Sequence, residues 1–273
     1  MSLTRWHFPR QVLMLLVVVG LRLRGGTLLL PPRAVTRRRE ATPWAPTVAI
    51  HRTLCRLAQV CLWRDEFSRK LIGEGEVVPD IAFSASSPAS GLPVDQRTDL
   101  VVSLRGKRSE PSPGWFSTVA RFADESGLRI CTLAQVAGDV SRAQEVAARF
   151  PGAVMHPWDD DHLTQEGVAM SAYSRARIVI SDRLHVLILA SICGAIPVEI
   201  VSEPATKVRT HFETIGYRGA SHDFQGDEDS ALNFLRRTMA RQDELSSALV
   251  SARVALLEAR ESFTKHLRTR ATQ

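Results

Sequence analysis

Lysine is scarce in this 273-residue chain: it stands only at positions 70, 107, 207 and 265, so the formal net charge of +6 rests almost wholly on arginine. Aromatic residues make up 6%, and no stripe of cations interleaved with aromatics runs through the chain, which argues against a nucleic-acid-binding surface. Scattered arginine is compatible with plain composition bias. It equally suits an enzyme that grips phosphate or carboxylate, because the guanidinium fork offers paired donors. Cysteine is nearly absent as well. Cys55, Cys61, Cys131 and Cys193 form no C-x-x-C pair, so the cysteines give no framework and buried free thiols in a reducing compartment are expected. Long hydrophobic runs are missing too. In "RWHFPRQVLMLLVVVGLRLR" the uninterrupted apolar run from Val12 to Val19 is eight residues, far short of the roughly 18 a membrane span needs. With no small-residue cleavage site and with Arg22 and Arg24 following at once, a signal peptide is disfavoured and a buried strand is expected.

What the chain does have is core material: 44% of residues are hydrophobic and 23% charged, the balance of a folded protein. After the expected first strand, "GGTLLLPPRAVTRRREATPWAP" reads as an irregular connection whose arginines form a solvated loop. "TVAIHRTLCRLAQV" places Ile50, Leu54, Leu57 and Ala58 on one helical face. "VCLWR" reads as a strand, "DEFSRKLIGEG" as a helix opened by acids and closed at glycine, and "EVVPDIAFS" as extended. Residues 84–98, "SASSPASGLPVDQRT", have linker composition and mark a domain boundary. Beyond it strands and helices alternate: "DLVVSLR", helix 114–126, "LRICTLAQV", "VSRAQEVAARF", "AVMHP", "DHLTQEGVAMSAYSRA", "RIVIS", "RLHVLILASICG" and "IPVEIV". From about Asp227 the chain reads as amphipathic helix that packs back on the fold. The predicted class is α/β, with a doubly wound parallel sheet beyond the linker. The expected extents of the two domains are 1–90 and 97–225, with a helical segment over 226–273.

The most informative stretch is "SDRLHVLILASICGAIPVEIV", residues 181–201. A β-branched strand ends at Ser181 and Asp182, either of which can cap a helix, and Gly194 ends that helix. Arg183 and His185 then fall in the first helical turn at the carboxyl end of a strand. Ligands bind at that edge of open α/β sheets. The exposed N–H groups and the helix dipole favour an anion there, and Asp182 is placed to orient one of the cations. "HPWDDDHL" offers a competing metal cluster, but an Asp run before a helix is more simply its cap. His156 ends a strand at the same edge and is kept as a candidate.

Two motifs in order carry a resemblance. "YSRARIVISDRLHVLILASICGAIPVEIVSEPATKVRTHFETIG" and the earlier "CLWRDEFSRKLIGEGEVVPDIAFS" resemble the two signature regions of the polysaccharide pyruvyl transferase family, over roughly residues 48 to 220. The resemblance implies two Rossmann-like parallel-sheet domains, a fold like that of the GT-B glycosyltransferases. The implied reaction transfers the enolpyruvyl unit of phosphoenolpyruvate to sugar hydroxyls of an exopolysaccharide or cell-wall glycan, giving a pyruvate ketal. Arg183 and His185 match the R-L-H motif and are the implied catalytic pair. Arg64 matches the Arg of R-D-x-x-S. With Arg105, Lys207, Asp182 and His156 it makes the implied substrate-binding set. No cofactor and no metal is implied, since phosphoenolpyruvate is itself the donor. The expected partners are that donor and a glycan or lipid-linked sugar, in the cytoplasm beside a membrane, with room for peripheral membrane association and for a homo-oligomer. Residues 1–47 lack the Gly- and Asn-containing first strand-turn of the family, so the first domain is expected to be an incomplete half. Two other functions fit the residues: a nucleotide-sugar glycosyltransferase of the same architecture, and an inactive relative that binds through its C-terminal helix.

Overall fold

The computed structural model describes residues 3, 5–35, 43–86, 92–202 and 206–268. Most of the arginine-rich loop and the centre of the Ser/Pro linker therefore lie outside the described residues. The chain divides into two compact units, Met1–Ile81 with Ser251–Gln273, and Ala82–Val250.

The first unit holds a three-stranded parallel sheet in the order β1 (Leu29–Arg33), β2 (Val60–Trp63), β3 (Glu76–Val77). Its helices are α1 (Phe8–Leu23), α2 (Ala45–Leu57) and α3 (Glu66–Ile72). Two expectations are corrected here. The segment "QVLMLLVVVG" is helix, not strand: a short apolar run is compatible with either, and length decides between them. Pro9 sits in the first turn, where its missing N–H costs nothing. Phe8, Val12, Leu15 and Val18, spaced by four and three, then land together against Ile50 and Leu54 of α2. The expected irregular connection in turn contains β1. Two prolines are tolerated there because β1 is an edge strand. The stretch after β2 is also less extended than expected: β3 is two residues long, and Ile81–Ser84 turn into a short 3-10 helix.

The R-D-x-x-S motif builds the passage from β2 to α3. Asp65 caps α3 by accepting from Ser68 N at 2.7 Å and Ser68 Oγ at 2.9 Å, while that hydroxyl accepts from Val35 N at 2.8 Å. Gly73, at φ +81°, closes the helix in the left-handed conformation.

His51 of α2 is 3% exposed, and neither ring nitrogen has a hydrogen-bond partner. Burial, followed by the nearby Arg33 guanidinium, pushes its pKa down to about 4 from 6.5. The folded state therefore holds this imidazole neutral. Its contribution to stability is complete above about pH 6.5 and is lost as the pH falls toward about 4. Between about pH 7.5 and pH 5 the protein is expected to lose about 2 kcal/mol through this group alone. Urea unfolding of wild type and His51→Leu at both pH values checks this, the variant showing the smaller acid loss.

The second unit carries a six-stranded parallel sheet in the order β6-β5-β4-β7-β8-β9. These are β4 (Asp99–Ser103), β5 (Arg129–Thr132), β6 (Val154–Met155), β7 (Ala176–Ser181), β8 (Ile196–Val201) and β9 (Ser221–Asp223). The helices are α4 (Pro113–Ser126), α5 (Val140–Ala148), α6 (His162–Arg175), α7 (Leu184–Ile192), α8 (Thr206–Thr214), α9 (Glu228–Met239) and α10 (Gln242–Arg268). α10 passes from this unit into the first, where Ala259 and Phe263 pack on Val60, Leu62 and Val78. The single terminal helix expected from the sequence is thus two helices, broken at Ala240 and Arg241. Counted from β4, the strand order is 3-2-1-4-5-6, that of a Rossmann sheet. The central strands β4 and β7 are buried along almost their whole length, which is why they read as unbroken apolar runs rather than alternating ones. α7 is sequestered in the same way: Val186, Leu187, Ile188 and Ala190 are fully buried.

Candidate functional site

In the strand order 3-2-1-4-5-6 the chain leaves β4 toward one side of the sheet and β7 toward the other. A crevice opens between their carboxyl ends. Ser103 and Ser181 are the last paired residues of the two strands, and Ser181 Oγ donates to Ser103 O. The same hydroxyl accepts from Arg183 N at 3.0 Å. Just beyond this bridge the side chain of Asp182 turns toward the loop after β4. Its Oδ1 accepts from Arg105 N at 3.0 Å, and its Oδ2 lies 3.1 Å from Arg108 Nε and 3.9 Å from Arg105 Nε. The carboxylate is 1% exposed, whereas Arg105 and Arg108 are 40% and 33% exposed. Asp182 is thus a buried anchor under two guanidinium groups that keep part of their surface for solvent or a ligand.

The sequence left Ser181 or Asp182 to cap α7, and the structure corrects this. The N-cap residue is Arg183, and no side chain caps the helix. Ser181 is spent on joining two strand ends, and Asp182 on the arginines across the crevice.

Arg183 faces a second buried acid. Asp139, just before α5, accepts from Arg183 Nη2 at 2.7 Å and from Gly106 N at 2.9 Å. Arg183 Nε lies 2.6 Å from Asp139 Oδ2 without hydrogen-bond alignment, so the Nη2 contact is the directed one. Gly106 is required here, since a Cβ would stand 2.2 Å from Gly138 O. Asp182 thus holds the turn at Arg105 directly, and Asp139, paired with Arg183, holds it at Gly106.

A cavity of about 740 Å3 opens over this turn, with Arg105, Lys107, Arg108 and Arg142 in its wall. Trp115 also lines it, held by donation from its Nε1 to Ile200 O at 2.8 Å. Arg142 braces the turn by donating from Nη2 to Arg108 O at 2.8 Å. Lys107 is exposed and has no partner among the described residues. The acids on the lining are already committed: Asp182 as above, and Glu110 to Arg149 at 2.6 Å. Positive charge remains in excess, and the cavity is suited to a small anion.

The expected residues fall out as follows. Arg105 and Asp182 share the cavity wall, and Arg183 is joined to the same turn through Asp139. His185 lies exposed in the first turn of α7, off the cavity lining and with no partner among the described residues. Lys207 is exposed near the start of α8 and is not on the cavity lining. Arg64 belongs to the first unit, where its Nη1 meets the buried Asp80 at 2.8 Å. His156 is half-buried after β6 and off the lining. Burial first and then Arg175 lower its pKa, with Arg129 adding to this and Asp99 opposing. The Asp run before α6 is a cap: Asp161 accepts from Thr164 N at 2.9 Å. Among the described residues no group of His, Cys, Asp or Glu side chains is arranged to hold a metal ion.

Lys107, Arg108, Arg142 and Asp139 were missed from sequence. The first two sit in "GKRSEPSPG", which looks like an ordinary polar turn. The available signal was its place directly after a fully apolar strand. The same signal, a Gly-Asp pair between a buried strand and a helix, marked Asp139.

A family model described as polysaccharide pyruvyl transferase matches residues 47–195. The chain belongs to the polysaccharide pyruvyl transferase family. The matched region runs from α2 through α7 and so includes R-D-x-x-S, the β4 turn and the R-L-H motif. Membership supports a transferase that modifies polysaccharide. Among solved structures, the UDP-N-acetylglucosamine 2-epimerase of Neisseria meningitidis bound to UDP-N-acetylglucosamine is 11% identical. That match covers 91% of this chain and 72% of the other, with a TM-score of 0.53. A Listeria monocytogenes protein described as a UDP-N-acetylglucosamine 2-epimerase is 12% identical over 93% of this chain and 72% of its own, with a TM-score of 0.54. At these identities the likeness is one of fold, and this pyruvyl transferase family member has the Rossmann-like α/β architecture of the GT-B group. No curated protein sequence matches the chain.

Proposed function

We propose that the chain transfers the enolpyruvyl unit of phosphoenolpyruvate onto two hydroxyls of a glycan, forming a pyruvate ketal and releasing phosphate. The observation that carries this reading is the cationic cavity of a family member at the carboxyl edge of its sheet, between the loop after β4 and the ends of β8 and β9. The donor is small and triply anionic, so it calls for several fixed cations and little else. Arg105 and Arg108, held from behind by Asp182, supply two of them, and Lys107 adds a mobile third. The volume leaves space beside so small a donor for a sugar ring.

In the proposed reaction one sugar hydroxyl adds to C2 of phosphoenolpyruvate while the methylene carbon takes up a proton and becomes a methyl group. The second hydroxyl then attacks C2, and the C2–oxygen bond to phosphate breaks. The proton of the first hydroxyl is thereby balanced by the methyl group and that of the second by phosphate. His185, exposed and unpartnered among the described residues, is assigned the proton shuttle. Cations close to the phosphate stabilise the charge that grows on the leaving group. The reaction takes no cofactor or metal in this scheme. The setting is the cytoplasm, where lipid-linked glycans are assembled beside a membrane.

A nucleotide-sugar glycosyltransferase is the second reading, favoured by a fold shared with an epimerase solved with a nucleotide sugar bound. Product analysis separates the two. Incubation with phosphoenolpyruvate and a bacterial cell-wall glycan is expected to release inorganic phosphate and yield a ketal methyl signal by NMR. Release of a nucleotide from a nucleotide sugar, with no phosphate from phosphoenolpyruvate, would establish the second reading instead.

A further inference from the structure

The outer face of α1 is independent of that reading and unusual for a surface helix. One side, Phe8, Val12, Leu15 and Val18, is used up on α2. The opposite side is apolar as well: Leu13 and Leu16 are 63% exposed, Val17 54%, Leu21 55% and Leu23 84%, with Trp6 just before the helix 92% exposed. Surface helices ordinarily turn polar residues to that side, and a contiguous apolar patch of this kind marks an interaction surface. The charge around it has one sign. Residues 1–39 contain eight arginines and no aspartate or glutamate, and Arg10 and Arg24, near the two ends of the helix, are exposed.

We propose that α1 is a docking surface for an anionic lipid bilayer, lying in the interface rather than crossing it. Three observations select this occupant. Among the described residues no helix is long and apolar enough to span a membrane. The exposed apolar side chains would enter the boundary between headgroups and acyl chains, as in interfacial helices, with Trp6 at the depth aromatic residues favour. The exclusively cationic flanks complement acidic headgroups, whereas a second copy of the same face would set arginine against arginine. α1 stays packed on α2 in this arrangement, so docking needs no unfolding.

The test uses the full chain and sedimentation with vesicles of phosphatidylcholine alone or of equimolar phosphatidylcholine and phosphatidylglycerol. Binding is expected to the anionic vesicles and to weaken as salt is raised. The double variant L16Q/V17Q is expected to bind at least about tenfold more weakly, and R10A/R24A several-fold more weakly. Both pairs are exposed, so far-UV circular dichroism and the unfolding midpoint should match wild type. Brominated lipid is expected to quench tryptophan emission in wild type and to do so less in W6F. Failure to bind anionic vesicles would overturn the proposal. So would binding that R10A/R24A abolishes and L16Q/V17Q leaves intact, which is adsorption by charge alone. A concentration-dependent dimer in analytical ultracentrifugation that L16Q/V17Q abolishes would overturn it in favour of a second copy. None of these outcomes depends on phosphoenolpyruvate turnover.

Discussion

His185→Gln is expected to slow phosphate release from phosphoenolpyruvate, in the presence of a glycan acceptor, by about 10²- to 10⁴-fold. The imidazole is the assigned proton shuttle, and the amide that replaces it can hydrogen-bond but cannot accept and return a proton. The rest of the molecule should be unaffected, because His185 is exposed and makes no polar contact among the described residues that holds the fold. Behind it α7 is buried from Val186 to Ile188, so the backbone that presents the side chain stays in place. Stability is therefore expected to change by no more than about 0.5 kcal/mol, and KM for the donor to change little, since the cations proposed to bind it lie on the β4 turn. Unchanged kcat in the variant would move proton transfer to another residue.

The second unit was legible in sequence for a physical reason that does not extend to the first. β4, β7 and β8 are covered on both faces, so each is a run of Val, Ile and Leu bounded by polar turns, and only a parallel sheet with helices on both sides uses such runs in series. α1 breaks that correspondence. It is apolar around much of its circumference, though only one side is packed within the chain, so composition could not separate it from a buried strand. β1 was hidden by Pro31 and Pro32, tolerated at an edge. Within the site, Asp182 was singled out because strand ends are where ligands bind, and Arg105 through the family resemblance. Arg108 and Asp139 owe their roles to contacts 74 and 44 positions away in sequence, to Asp182 and Arg183 respectively, and no local pattern reports such contacts.

Those long-range contacts also change what Arg183 is expected to do. The resemblance, read alone, gives Arg183 of the R-L-H motif the role of a phosphate or carboxylate clamp on the donor, yet the guanidinium is turned onto Asp139, whose carboxylate is 3% exposed. Arg183→Met would leave that carboxylate with the Gly106 N–H as its remaining hydrogen bond. Removing one partner of a buried pair costs about 3–5 kcal/mol, and the lower end applies because 26% of the Arg183 side chain is exposed. A loss of about 3 kcal/mol should lower the unfolding midpoint by roughly 6–12 °C. Asp139→Asn in the same chain should restore much of it, since a neutral amide needs no counter-charge, and the coupling in the double-mutant cycle should be well above about 0.5 kcal/mol. The effect on turnover follows from the geometry. Asp139 holds Gly106, and Gly106 sits between Arg105 and Arg108, so loosening Asp139 is expected to shift these two of the cavity's cations together. Measured below its lowered midpoint, Arg183→Met is expected to raise KM for phosphoenolpyruvate, and the double variant R183M/D139N to leave it raised while regaining stability. Arg183→Lys could neutralise Asp139 but not reproduce the fork, and should recover stability more fully than KM. If Arg183→Met instead keeps its midpoint and loses only kcat, the pair with Asp139 is not what Arg183 is for, and the direct clamp stands.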